Sequence, residues 1–280
     1  MHNMNIYCLS TYSDHFNLFK KLGYIPVGLG KTPFNNDWLR DDTGDNISFK
    51  NAYYSEFTFH YWFWKNLIKK IPNETWIGFC AYRRFWSDNN NLNSYEIDNV
   101  ININNFEQHA LKEKNIKWSG YESILGEEII LNNMKLLKII KNGGISSIIH
   151  NYKNFASRKM NIKFHFDIFH GAGNIEKAIS LLENKEQNDF YEFVTTKNSF
   201  SRGNMFICKS KNIINEFYSS LFEWLFDCEK IFGFDKTEYG KIRIYAFLGE
   251  RYMSYWFKKY TKFKEWPIFF LDTQKNVKQR

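Results

Sequence analysis

The chain has 280 residues, 44% of them hydrophobic, 24% charged and 19% aromatic, with 38 Lys and Arg against 30 Asp and Glu. A chain this long buries roughly three-quarters of its unfolded surface without disulfide staples, and four prolines in all exclude a Pro-rich or disordered protein. The formal charge of +8 suits an anionic partner, whether a phosphate-bearing molecule, a nucleic acid or an anionic membrane, but a Lys- and Asn-rich composition produces the same charge with no partner.

The N-terminal twenty residues lack a basic segment followed by an apolar one, so no secretory leader is expected. Residues 5–10 (NIYCLS) read as a short buried strand, 16–22 as a helix and 24–29 (YIPVGL) as a second strand. A polar loop, 31–50, leads into a strong helix over 51–70. Its apolar stretch carries Glu56, His60, Lys65, Lys69 and Lys70, which rules out a membrane span. It is nonetheless aromatic on nearly all sides and is expected in the core. Residues 76–82 (WIGFCAY) form a third, wholly apolar strand, expected at the centre of a parallel sheet. Strand, helix, strand, long helix, strand is an α/β beginning.

Further on, 89–105 is Asn-rich and reads as loop with a short strand (VINI), and 128–131 as a strand. Helices are expected at 134–141, 145–156, 175–183 and 189–196, then a strand at 203–209 (GNMFICK). Two long amphipathic helices follow, 211–231 and 238–260, and the chain closes on a strand-like run at 267–271. The four cysteines, Cys8, Cys80, Cys208 and Cys228, form no C-x-x-C pair and read as buried thiols of a reducing compartment. The protein is therefore expected in the cytoplasm.

Polar chemistry gathers in three places. Residues 38–48 (WLRDDTGDNIS) hold Asp41, Asp42 and Asp45 beside Arg40, with Asp45, Asn46 and Ser48 placed to cap the following helix. A helix start after a strand and loop is where α/β proteins bind nucleotides; a surface capping loop is the plainer alternative. The second group is 80–86 (CAYRRFW), where Arg83 and Arg84 leave a buried strand. Two guanidiniums there could neutralise a diphosphate, and Tyr82 and Trp86 offer flat faces for a base or sugar; snorkelling arginines paired with Asp41 or Asp45 are the alternative. The third is 165–174 (HFDIFHGAGN), in which His165, Asp167 and His170 form an acid/base group or, with less diagnostic spacing, metal ligands. The last helix mixes Arg251, Lys258 and Lys259 with Tyr252, Tyr255 and Trp256, which would suit an anionic membrane surface or, equally, a solvated face beside a core stripe.

These same segments resemble the DUF4422 family of bacterial glycosyltransferases of capsule, exopolysaccharide and O-antigen synthesis. The likeness rests on 24–30 (YIPVGLG), 41–48 (DDTGDNIS), Lys50-Asn51, 61–66 (YWFWKN), 76–85 (WIGFCAYRRF), 170–174 (HGAGN), 203–209 (GNMFICK) and Glu250-Arg251. It implies a GT-A-like α/β fold over 1–280, with a mostly parallel central sheet flanked by helices and a helix-rich C-terminal half. Residues 1–132 would form the nucleotide-sugar part and 133–280 the acceptor side. It further implies transfer of a sugar, of galactose or galactofuranose type, from a UDP donor to a growing or lipid-linked glycan, and work at the inner membrane face. Asp41, Asp42, Asp45, Asn46, Ser48, Asn51, Tyr82, Arg83 and Arg84 would serve the donor, and Asn204, Glu250 and Arg251 the acceptor. The family commonly has His before Tyr-Arg-Arg; this chain has Ala81.

The expected strand end carries no Asp-x-Asp, so the diphosphate is expected to meet guanidinium, with Mn²⁺ or Mg²⁺ on the aspartates as the alternative. If the displacement inverts the anomeric centre, Asp167 is the first choice of base, then His170 and His165. Two other readings compete. One is a different nucleotide-dependent transferase of the same pathway, against which the missing P-loop counts. The other is a single-stranded nucleic-acid binder, against which stands the placement of the aromatics in apolar elements.

Overall fold

The computed structural model describes residues 4–81, 83–88, 100–101, 106–131, 136–234 and 237–271. The chain opens with β1 (Met4–Ser10), α1 (Phe16–Lys21), β2 (Ile25–Gly28), β3 (Leu39–Arg40), α2 (Asn51–Tyr54) and α3 (Phe57–Trp62). It continues through β4 (Trp76–Ala81), β5 (Arg84–Trp86), β6 (Val100–Ile101), α4 (Phe106–His109), β7 (Ser123–Gly126) and β8 (Glu128–Ile130). A helical stretch follows: α5 (Leu136–His150), α6 (Tyr152–Ala156), α7 (Ile162–His170), α8 (Asn174–Ile179) and α9 (Asn184–Thr196). The remainder is β9 (Ser199–Ser201), β10 (Phe206–Cys208), α10 (Lys211–Phe232), α11 (Tyr239–Ile242), α12 (Ile244–Tyr260), β11 (Phe263–Trp266) and β12 (Ile268–Leu271).

The main sheet runs β3-β2-β1-β4-β10-β7-β11, with β5, β12 and β6 attached beside β4. It is mostly parallel: β3, β2, β1 and β4 run together, β7 runs with β11, and β10 lies antiparallel between β4 and β7. Both halves of the chain supply strands to it. β4 is apolar because it is covered on both faces. Ile77 and Phe79 join the core beneath the long helices, while Trp76 and Cys80 face a second cluster with Phe19, Phe85, Trp118 and Trp266. The four cysteines are free and buried, with Cys8 and Cys80 in register on β1 and β4.

The expected helix over 51–70 is interrupted. Ser55 takes φ 53° and ψ −131°, a conformation that costs a residue with a Cβ roughly 1–3 kcal/mol. After this break the aromatics of α3 and the turn that continues it are buried as the pattern predicts, Phe57, Phe59 and Phe63 fully so. The expected helix over 238–260 likewise breaks into α11 and α12, with Arg243 at the elbow. Residues 162–170, whose alternation hides a helix, form α7, with the Asn161 side chain accepting from the Phe164 N–H at 2.8 Å as N-cap.

Three strand expectations need correction. The strand at 128–131 is real as β8, but it pairs with β9 in a separate two-stranded ribbon. The sheet strand nearby is β7, held between β10 and β11. The 31–50 loop also contains β3, which extends the sheet beyond β2. All three are short segments whose pairing partners are remote in sequence.

The basic-aromatic last helix is a core element rather than a surface one. Arg251 is buried, Lys258 pairs with Glu128 and Glu265, and Lys259 pairs with Glu186 and Asp189. No described helix is long and apolar enough to cross a membrane.

Candidate active site

The parallel strands end together at one edge of the sheet, where a ligand crevice is expected in an open α/β fold. Ser10 ends β1 and Thr11 follows it, Leu29 follows β2, and Ala81 ends β4. They line a hollow of 390 Å³ that continues into a second of 350 Å³. Leu9, Ser55, Glu56, Ala81, Arg84 and Arg243 border both, so the two are one cleft. Larger grooves of 520 and 710 Å³ lie on the α9, α10 and α12 surface, away from these strand ends. Size alone does not make them the site.

The helix break after α2 delivers Ser55 and Glu56 to the floor of the cleft. Asn51 holds the unusual turn by donating to the Ser55 carbonyl at 3.0 Å. The Ser55 hydroxyl donates to Glu56 and accepts from Arg243, whose guanidinium also donates to the Tyr239 hydroxyl. Asn204 donates to the same Glu56 oxygen, Oε2, at 3.3 Å. Oε1 of Glu56 takes no hydrogen bond among the described residues. Arg84 lies across the cleft on β5, exposed and without an ion pair among the described residues. The guanidiniums of Arg84 and Arg243 and the carboxylate of Glu56 therefore border both hollows.

Of the residues singled out from the sequence, Asn51, Arg83, Arg84, Asn204 and Glu250 line this cleft. Glu250 accepts from the Gly203 N–H at 2.9 Å and from Arg251. Arg251 itself lies behind the wall, buried with its guanidinium 4.3 Å from the Phe200 ring centre. Arg83 sits against Phe270, 5.5 Å from the ring centre. Tyr82 lies outside the described residues.

The aspartates do not converge. Asp42 is paired with Arg40 at 2.9 Å, and Asp45 is exposed, accepting from the Tyr61 hydroxyl at 3.0 Å. Asn46 and Ser48 form a local turn, the Ser48 hydroxyl donating to Asn46 at 2.8 Å. Asp41 is fully buried with neither carboxylate oxygen hydrogen-bonded. Burial pushes its carboxyl above the ordinary range, opposed by Thr58 and Arg40. The Thr58 hydroxyl is already committed to the Ser55 carbonyl at 3.1 Å.

Asp167, His165 and His170 lie on α7, and none borders the cleft. Asp167 accepts from Asn151 at 2.7 Å, from Lys163 at 3.1 Å and from the Gly173 N–H at 3.1 Å. A carboxylate filled by three donors in a closed interior has no room to take a substrate proton. Burial and the Arg251 charge lower both imidazoles, His165 to about 3 and His170 well below the usual value. His170 stacks on Phe247, 4.0 Å between ring centres, and so touches the cleft only through that ring.

Sequence reasoning passed over Ser55, Glu56, Tyr239 and Arg243. A signal for Glu56 was present: it is the first carboxylate of an otherwise aromatic helix, where a charge needs a reason. Arg243 gave no comparable sign, since the elbow that aims it is set by packing.

As for a metal, no group of three or more His, Cys, Asp and Glu side chains among the described residues could hold an ion. The cleft carboxylates Glu56 and Glu250 already accept from a hydroxyl, amides and a guanidinium. Among the described residues these side chains form no all-protein cation cage.

A family model described as a domain of unknown function, DUF4422, matches residues 8–262, and the chain belongs to that family. No curated protein matches it. Among solved structures it is similar to the apo structure of a bifunctional glycosyltransferase, WbbM, with a TM-score of 0.69 and 20% identity. The alignment covers 97% of this chain and 46% of that one, so the chain spans about half of its structural neighbour. At that identity the likeness is one of fold.

Proposed function

We propose that this chain is a glycosyltransferase whose nucleotide-sugar donor lies in the cleft at the strand ends. The observation that carries the reading is that Arg84 and Arg243 line one cleft with Glu56, whose Oε1 takes no hydrogen bond among the described residues. In the transfer, the acceptor hydroxyl gives its proton to Glu56 while its oxygen bonds to the anomeric carbon. The bond from that carbon to the diphosphate breaks, and the diphosphate leaves with the electron pair. Arg84 and Arg243 stabilise the charge that develops on it. Glu56 replaces Asp167 as the proposed base, because it faces the cleft and Asp167 is enclosed.

The donor is proposed to be a UDP-sugar of galactose or galactofuranose type and the acceptor a growing surface glycan, as the family resemblance implies. The strand order, with one antiparallel strand inserted in a parallel sheet, suits a GT-A-like reading. Residues 1–132 would mainly hold the donor. Residues 133–280 would hold the acceptor, with Arg243 and Glu250 reaching across to complete the cleft.

The test is thermal unfolding against a panel of nucleotides and nucleotide sugars, with and without EDTA, followed by turnover of the ligand that binds. A ligand at ~100 times its Kd stabilises by about 2.7 kcal/mol, a shift of about 4–5 °C for a chain of this size. A UDP-selective shift that survives EDTA is expected. In Glu56→Gln, that shift should persist while turnover falls about 10²–10⁴-fold. No shift with any nucleotide sugar overturns the reading; full turnover in Glu56→Gln overturns the choice of base.

A further inference from the structure

Between Glu128 and Asp167 the chain contains no Asp or Glu. The same stretch carries Lys138, Lys141, Lys153, Arg158 and Lys159, all exposed and none ion-paired among the described residues. The only described cation there with a carboxylate partner is Lys163, which is buried against Asp167 and Glu176. A net-positive chain with acids interspersed elsewhere is thus locally of one sign along α5 and α6.

Four of the exposed large apolar side chains among the described residues fall on these same two helices. Ile139 and Ser147 of α5 face the core. Ile145 and Ile149, four apart and so neighbours on one helix face, are 69% and 68% exposed, Tyr152 at the start of α6 is 69% exposed, and Ile140 is 42% exposed. Leaving β-branched apolar residues in water brings no folding benefit, and several together on a basic stretch of chain mark an interaction surface. Gly144, at φ 63°, kinks α5 between Ile140 and Ile145, so the exposed residues fall on two short segments.

We propose that α5 and α6 form a docking surface for an anionic lipid bilayer. Isoleucine and tyrosine side chains would enter the headgroup boundary while the lysines and Arg158 meet lipid phosphates. The choice of occupant rests on charge complementarity: the absence of any carboxylate over this stretch removes the usual penalty against an anionic surface. It also rests on the two components together, since a partner bound by charge alone would not call for exposed isoleucines. The surface is separate from the last helix, whose lysines are engaged with carboxylates. The inference does not depend on the glycosyltransferase reading.

The experiment is co-sedimentation of the full chain with vesicles of neutral phosphatidylcholine, or of phosphatidylcholine with about one-third phosphatidylglycerol. Binding to the anionic vesicles is expected to exceed binding to the neutral ones by at least about tenfold and to fall with salt. Ile145→Glu with Ile149→Glu, both at exposed positions and so tolerated by the fold, should weaken binding about tenfold or more. So should Lys138→Glu with Lys141→Glu. Melting temperatures of both double variants should match the parent. Equal binding to the two vesicle types, no binding to either, or undiminished binding by both variants overturns the proposal. Concentration-dependent self-association abolished by the isoleucine variant also overturns it, because a second copy would then be the occupant.

Discussion

Asp167→Asn separates a structural role from a catalytic one. Asp167 has 0% side-chain exposure and Lys163 beside it 6%. One carboxylate oxygen accepts from both Asn151 and Lys163, and the other accepts from the Gly173 N–H. Asparagine has the same size but only one acceptor oxygen. Whichever way its amide turns, its NH₂ faces at least one of these donors, and the buried ammonium loses its nearest counter-charge. Breaking a buried pair from one side costs about 3–5 kcal/mol. Lys163 keeps Glu176 at 3.2 Å, which favours the lower end, about 3 kcal/mol. Unfolding entropy of about 2.1 cal/mol/K per residue gives about 0.6 kcal/mol/K for this chain, hence a melting temperature lower by about 5 °C. Calorimetry measures that shift, and turnover is read at a temperature where the variant is folded and should stay within a few-fold of the parent. An unchanged melting temperature with turnover reduced a hundredfold would refute the reasoning and return Asp167 to the reaction.

Arg84→Ala should leave the ligand-free melting temperature unchanged, since the side chain is exposed and unpaired among the described residues. It should weaken UDP by about 10–100-fold, the loss of one charge-assisted contact; calorimetric titration showing equal affinity would remove Arg84 from the donor site. Acid should destabilise the protein early. Burial lowers His60 to about 3 and, with the Arg251 and Lys138 charges, His165 to about 3. The unfolded chain then binds more protons below about pH 6.5, and the stability of these neutral imidazoles is complete above that pH and lost as it falls toward 3. At pH 5 each accounts for about 2 kcal/mol; a urea midpoint equal at pH 7 and 5, or an unchanged slope in His60→Gln with His165→Gln, contradicts this. Gly240→Ala places a Cβ 2.1 Å from the Phe169 carbonyl oxygen, so α11 must shift. Donor affinity should then fall although Gly240 borders no part of the cleft, and isothermal titration of the variant checks it.

The local pattern of the chain was enough for the α/β class, the central place of β4, the buried aromatic helix and the arginines at the strand end. Each follows from short-range chemistry: a run apolar on both faces must be covered twice, and residues just past its end emerge at the sheet edge. The segment 162–170 shows where such reasoning stops. Its polar residues looked like a reactive group, yet the fold spends Asp167 on Lys163, Asn151 and the Gly173 turn, and encloses both histidines. The break at Ser55 and the elbow at Arg243 are invisible in the same way, because neither has a glycine or proline to announce it. Nothing local places residues 56 and 243 in one cleft; they meet there because β10, α11 and α12 pack back onto the sheet begun by β1. Composition and periodicity decide what must be buried, whereas the partner of a buried charge or the aim of a guanidinium depends on elements remote in the chain.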